Sequence, residues 1–256
     1  MRIHRRKFLK TTLIAGAAAR LPGSAWARVA GANDTIRVGV AGVNGMGWSH
    51  VERFHSVDGV RVVAICDPDR RLLARRREEF EKGKEKLQTF VDIREMLDRG
   101  DLDDVVVATP DHWHALAGVW AMEAGKDVYI EKPLTYSIWE GRRLVEAARR
   151  HGRIAQTGSQ HRSCPATHKV REYVQSGRLG KIRFAYAQVF NRRKSIGKAE
   201  GPLAIPPEVD YDLYAGPAPA EPPVRTNLHY DWHWQWPMGT GEAGNWGAHI
   251  IDDALN

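Results

Sequence analysis

Residues 36–41, Ile-Arg-Val-Gly-Val-Ala, form a β-rich run that ends at a glycine cluster, Gly42-Val43-Asn44-Gly45-Met46-Gly47, from which a helix can start. This strand–glycine–helix unit restricts the fold more than any other feature of the chain. A tight glycine turn lets the backbone approach a pyrophosphate, and the helix start adds free N–H groups and a positive dipole end. The spacing meets G-x-G-x-x-G at Gly42 and Gly47, with Asn44 at the middle glycine. Asn tolerates left-handed backbone angles better than most residues, so the turn survives the exchange. Gly45 and Met46 complete the candidate cofactor-binding turn. Asp67 closes a second strand-like run, residues 60–66, and stands 20 residues beyond Gly47. A carboxylate at that place accepts hydrogen bonds from the adenosine ribose and favours NAD. Arg70 and Arg71 lie close enough to pair with a 2′-phosphate, which keeps NADP open. The alternative is a structural glycine turn that holds no nucleotide.

The rest of the first half repeats the alternation. Strand-like runs at 105–108, 126–130 and 153–156 are separated by helical stretches near 113–124 and 136–150, and a charged helix spans roughly 69–86. Residues 89–90 read as a short connecting segment. Strands spaced by helices of this length imply right-handed crossovers and a parallel sheet. The expected fold is α/β: a dinucleotide-binding Rossmann domain over residues 36–156, then an incomplete α+β open-sheet substrate domain over 157–256. In that second part a helix is expected at 165–176 and a strand at 181–190. Tyr230, Trp232, Trp234 and Trp236 alternate, which on a strand would put all four on one face. They could stack sugar rings or fill a sheet core.

Charge excludes one class of partner. The formal charge is +7, but Arg2, Arg5, Arg6, Lys7, Lys10 and Arg20 all lie within residues 1–27, which hold no acid. Without them 32 basic residues face 31 acidic ones, so the body of the protein has no nucleic-acid footprint. The leader has a basic start, an apolar stretch too short to span a bilayer, and a small-x-small site at Ala25-Trp26-Ala27. Its core, residues 4–10, resembles a twin-arginine export signal, with His4 in place of the usual Ser or Thr; a basic membrane-surface tail is the alternative. A linker over 28–35 follows. The expectation is periplasmic or exported protein, carried folded by the twin-arginine machinery with its cofactor already inside. Cys66 ends an apolar run and reads as a buried small hydrophobe, and no Cys/His spacing suggests structural zinc.

Two further motifs end strands on the edge where open α/β sheets bind ligands. In Thr109-Pro110-Asp111-His112-Trp113-His114, the paired histidines lack a third metal ligand at sensible spacing; Thr109, Pro110, His112 and His114 read as cofactor lining, with Asp111 capping the next helix. No metal is expected. In Glu131-Lys132-Pro133, a lysine leaving an apolar strand is partly desolvated, which lowers its pKa and suits it to proton transfer. A surface lysine paired with Glu131 is the plainer reading.

These stretches, with residues 124–134, 156–163 and 244–252, resemble the glucose–fructose oxidoreductase/inositol dehydrogenase (Gfo/Idh/MocA) family over nearly the whole chain after the leader. The resemblance implies that Lys132 belongs to the catalytic group and that Glu131 helps hold the nicotinamide ribose. It also implies that His249 is an acid/base, from the match of Asn245-Trp246-Gly247-Ala248-His249 to the family's Asp-x-Gly-x-His. Asn245 departs from that pattern: an amide can orient a hydroxyl but cannot deprotonate it. Arg162, Asn245 and His249 are the candidate substrate-binding residues. The implied activity is NAD(P)-dependent hydride transfer with a sugar or cyclitol alcohol, the cofactor staying tightly bound. NAD-dependent glycoside cleavage and a non-catalytic sugar-binding role are the alternatives. Family members continue well past the distal motif, so this chain reads as a C-terminally truncated piece of a protein that forms homo-oligomers at full length.

Overall fold

The computed structural model describes residues 35–190, 193–197, 200–225 and 227–255. The export signal expected over residues 1–27, and the linker up to residue 34, lie outside the described residues.

Six parallel strands form the sheet: β1 (Ile36–Ala41), β2 (Val60–Cys66), β3 (Gln88–Phe90), β4 (Asp104–Val107), β5 (Asp127–Ile130) and β6 (Ala155–Thr157), in the order β3-β2-β1-β4-β5-β6. Between them run α1 (Met46–His55), α2 (Arg70–Glu81), α3 (Ile93–Leu97), α4 (Asp111–Glu123) and α5 (Ile138–His151). The strand order reverses between β1 and β4, which pair from Val38↔Asp104 to Ala41↔Val107. A doubly wound sheet opens its ligand crevice at that switch point, beyond the carboxyl ends of the strands.

Alternation along the central strands sorts the core onto two faces. Val38, Val40 and Val106 pack with Val51 and Leu72 on one side; Ala41, Val105 and Val107 pack with Met96, Met122 and Ile130 on the other. Each of these valine, leucine, isoleucine and methionine side chains, fully buried, contributes about 1.5–3 kcal/mol. Local chemistry fixes the helix ends. Asp69 caps α2 by accepting from the Arg71 and Leu72 N–H groups. Ser137 and Glu140 form a reciprocal capping box on α5, which ends on left-handed Gly152. The segment read as a connector at 89–90 is strand β3, an edge strand too short to show periodicity, and α3 escaped notice for the same reason.

Beyond β6 the expected helix forms as α6 (Pro165–Gln175). The expected strand at 181–190 does not form: it finds no partner edge among the described residues, and Phe184, Tyr186 and Phe190 are exposed. No strand follows β6 among the described residues, so the open sheet expected there is absent from them. Instead the distal segment folds back onto the carboxyl edge of the Rossmann sheet. The Arg70 N–H donates to Glu208 O at 3.0 Å, and the Asp210 N–H to Pro68 O at 3.0 Å. The Trp113 indole N–H donates to Leu213 O at 3.1 Å. A short helix, α7 (Tyr211–Ala215), brings Tyr214 into a small core with Leu228 and Met238. The run from Tyr230 to Trp236 is not a strand. Residues 231–234 make a 3₁₀ turn, whose period of three sets Tyr230 against His233, ring centroids 5.1 Å apart. The last described helix is α8 (Ala248–Leu255), entered through a π turn at Ala243–Gly247.

Candidate active site

The glycine turn closes on itself through contacts that only glycine permits. A Cβ on Gly47 would stand 1.7 Å from Gly42 O, and one on Gly42 would stand 2.5 Å from Ala108 O. Positive φ falls on Gly42 (78°) and Gly45 (48°), not on Asn44, so the turn needs no left-handed asparagine. Helix α1 starts without a side-chain cap, which leaves its N-terminus for a ligand. Asp67 is buried just beyond, accepting from the Val43 N–H and the Asp69 N–H at 3.1 Å each. Burial pushes its carboxyl above the ordinary value, against the pull of His229 and of these backbone donors. Each carboxylate oxygen keeps a second lone pair for a hydroxyl.

A cavity of about 330 Å³ runs from this turn to Lys132. Of the expected residues, Gly42, Asn44, Gly45, Met46, Asp67, Thr109, Pro110, Lys132 and Asn245 line it. The lining suits a dinucleotide. Thr109 Oγ1 is buried with no hydrogen-bond partner among the described residues, and nothing occupies the space a Cβ on Gly45 would take.

Lys132 follows β5 and is joined to Pro133 by a cis peptide bond. Its Nζ donates to Asn245 O at 2.8 Å and to Asn245 Oδ1 at 3.2 Å. Desolvation lowers its pKa, opposed by the charges of Glu131, Asp111 and Glu242. With two directions taken by Asn245, the third position on nitrogen is left for the cavity: an N–H when the group is charged, a lone pair when it is neutral. Asn245, expected as a substrate contact, thus also aims the lysine.

Glu131 turns the other way. One oxygen lies 2.8 Å from His50 Nε2 on α1, and the other accepts the Lys132 N–H at 3.0 Å. Burial would raise its carboxyl, but the hydrogen bond and charge of His50 hold it below the usual range.

The domain these elements build matches, over residues 36–159, the family described as "Oxidoreductase family, NAD-binding Rossmann fold" (GFO_IDH_MocA). Residues 36–159 are a Gfo/Idh/MocA domain. A glycosyl hydrolase family 109 protein of Shewanella baltica is 34% identical over 171 residues, 58% of this chain and 37% of that protein. An α-N-acetylgalactosaminidase of Shewanella oneidensis is 37% identical over 122 residues, 46% of this chain and 27% of that one. The crystal structure of myo-inositol 2-dehydrogenase from Lactobacillus plantarum superposes with a TM-score of 0.51 at 26% identity, covering 58% of this chain and 43% of that one. The chain thus spans between 27% and 37% of the length of these curated relatives.

Several expected residues stand away from the cavity wall of the Gfo/Idh/MocA domain. His112 and His114, read as cofactor lining, point into protein. The His112 ring nitrogens lie 3.2 Å from Met238 O and from Tyr214 O, and those of His114 lie 2.7 Å from Pro133 O and 2.9 Å from Thr109 O. Both rings are structural ties. Asp111 does not cap α4, whose N-cap is Pro110; its carboxylate accepts the Thr240 N–H at 3.0 Å and the Thr240 hydroxyl. Arg162 is exposed and forked onto Asp252 of α8. His249 is buried near Lys132, stacked on His161 at 4.5 Å; desolvation, with the Lys132 charge, lowers its pKa. Gly47 shapes the turn from behind. Arg70 and Arg71 are exposed and do not line the cavity.

Sequence reasoning offered Tyr230 and Trp232 as possible sugar-stacking rings but missed the rest of the roof that the distal segment supplies. Leu213, Tyr214, Leu228, His229, Trp232 and His233 also line the cavity. His229 Nε2 lies 2.9 Å from Asp69 Oδ2, tying that roof to α2. The one available signal was the pair of histidines interleaved with the aromatic run.

Proposed function

We propose that this chain belongs to an NAD-dependent oxidoreductase that moves a hydride between a sugar or cyclitol secondary alcohol and the nicotinamide ring. The observation that carries the reading is the placement of Lys132, desolvated and aimed by Asn245, in the lining of the same cavity as the glycine turn and Asp67. NAD supplies the hydride acceptor when bound. The protein's share is orientation and proton transfer. Glycine-turn N–H groups and Asp67 hold the dinucleotide; Asn245 fixes the lysine; neutral Nζ takes the hydroxyl proton as the carbon gives up its hydride. General-base help of this kind contributes about 10²–10⁴ in rate. Export in the folded state by the twin-arginine route, with NAD retained and recycled, and homo-oligomerisation of the whole protein belong to the same proposal.

The second reading is NAD-dependent glycoside cleavage, supported by the Shewanella relatives named as glycosyl hydrolases. One assay separates the two. The chain is incubated with NAD and a panel of cyclitols, aldoses and aryl glycosides while nicotinamide absorbance and free aglycone are followed together. Net NADH from a polyol without aglycone is the expected outcome; aglycone release without net NADH would transfer the assignment to cleavage.

A further inference from the structure

His233 lines the cavity along with Lys132, Asn245 and Trp232, and the proton chemistry above makes no use of it. Its position is set on every side. The 3₁₀ turn carries it, and its ring stacks on Trp232 with centroids 3.7 Å apart and planes 18° from parallel. The loop after the turn presses against it from behind: a Cβ on Gly239 would lie 2.5 Å from His233 O.

The tautomer follows from one contact. His233 Nδ1 lies 2.6 Å from Tyr230 O. A carbonyl oxygen only accepts, so Nδ1 carries the hydrogen and Nε2 of the neutral ring carries the lone pair. Nε2 has no hydrogen-bond partner among the described residues. The charged groups that act on the ring are Asp111 on α4, Lys132 after β5 and Arg193. Arg193 is itself bound by Glu242 and by the Tyr230 hydroxyl. Desolvation, helped by Lys132 and Arg193, keeps the imidazole neutral at physiological pH despite Asp111 and the Tyr230 carbonyl.

We propose that His233 Nε2 is a specificity-determining acceptor that takes a hydrogen bond from a second hydroxyl of the substrate. The substrate class it selects is a neutral polyol with a second hydroxyl besides the one being oxidised. The inference rests on the dehydrogenase reading and deepens it. Lys132 exchanges the proton at the reacting oxygen; His233 only accepts a hydrogen bond, so its loss acts on binding and leaves the chemical step alone. Protonation of the ring removes the lone pair, so binding weakens as pH falls, with the acid limb in KM and not in kcat.

The test is steady-state kinetics of the full chain with NAD and a set of cyclitols, each beside its monodeoxy analogue, across pH, for wild type, His233→Leu and His233→Gln. NAD affinity is titrated separately for each variant. His233→Leu should raise KM for the polyol about tenfold, keep kcat and NAD affinity, lose the acid limb, and stop distinguishing polyol from deoxy analogue. His233→Gln, whose amide oxygen accepts, should recover most of the polyol KM without the acid limb. An unchanged KM in His233→Leu, or an acid limb that persists in both variants, overturns the assignment of His233 alone. Absence of wild-type turnover on every polyol, with NAD bound normally, overturns the dehydrogenase reading and this inference with it.

Discussion

Residues 36–157 and the described residues after 158 hold their shape by different means. The first set is a repeating structure in which neighbouring strands are hydrogen-bonded across the sheet and a core packs on each face, so burial and hydrogen bonding are satisfied locally and periodically. The second set has no ladder of its own among the described residues. It is held by single contacts to the first: His112 on Met238 and Tyr214, Asp111 on Thr240, His229 on Asp69. The cavity lies between these two kinds of structure. A periodic sheet supplies the floor, with its fixed N–H groups and its emergent lysine; an irregular segment supplies the roof.

The comparison breaks most completely at Gly47. Gly47→Ala drives a Cβ into the Gly42 carbonyl, a backbone atom that cannot step aside. The expected cost is at least about 3 kcal/mol, the upper end for overpacking, with loss of NAD binding. Gly45→Ala is the control: no atom lies within 4 Å of its Cβ, and only its φ of 48° is strained, at about 1–3 kcal/mol. Thermal melts with and without NAD measure both. Equal effects in the two variants would mean that the turn is not packed as described.

Lys132 sharpens the comparison at the chemistry itself. Lys132→Met is expected to lower turnover by about 10²–10⁴ while the melting temperature and NAD affinity stay close to wild type. The pH profile has a definite sign. The proton acceptor is the neutral amine, which accumulates as pH rises, and desolvation has lowered its pKa. Oxidation of the alcohol should therefore rise with pH through an apparent value below the roughly 10.4 of a free lysine. A limb at or above that value would show a solvated lysine with no part in proton transfer.

The same division explains what could be read beforehand. Val38 and Val40, the glycines at 42 and 47, Asp67 and Lys132 each sit in a local pattern whose period or spacing has one structural solution. Position 130 to 132, at a strand's carboxyl end, put Lys132 on the ligand edge without further information. The roof has no such period. Tyr230 to Trp236 alternate as a strand does, but no sheet edge was there to accept them, and the i to i+3 bond from the His233 N–H to Tyr230 O closed a turn instead. His112 and His114 look alike in sequence to cofactor ligands and to structural ties. Their surroundings, carbonyl oxygens supplied by residues up to 126 positions away, decide between the two and are invisible locally.

His112 offers a milder break, made by acid. Burial lowers its folded pKa despite the two carbonyl groups near the ring. A histidine with a depressed folded pKa gives stability that is present above its unfolded value, near 6.5, and is lost as pH falls from there toward the folded value. Because the ring joins α4 to the distal segment, the loss should fall on that joint. Hydrogen exchange on acidification should deprotect amides of residues 208–240 before those of β4. His112→Asn should abolish the acid-dependent part of that difference; β4 opening first in the wild type would place the weak point in the sheet.

The smallest expected effect tests whether the roof is held by many weak ties or by a few strong ones. Trp113 lies on α4 and lends its indole N–H to Leu213 O at 3.1 Å, with Tyr214 O at 3.3 Å, while its ring packs edge-on against Trp120 at 5.8 Å. Trp113→Phe keeps an aromatic ring for that packing and removes the donor, leaving two carbonyl groups to find water. The cost should be about 1 kcal/mol, the net worth of one such bond. Denaturant unfolding gives the stability, and exchange of the amides around Tyr214 gives the locality. If the roof is a sum of separate ties, protection falls near Tyr214 alone and the Asp111–Thr240 contact keeps residue 240 closed. If protection falls together across residues 208–240, the ties are cooperative and the roof opens over the cavity as one body, which would make its release and the escape of a bound dinucleotide a single event.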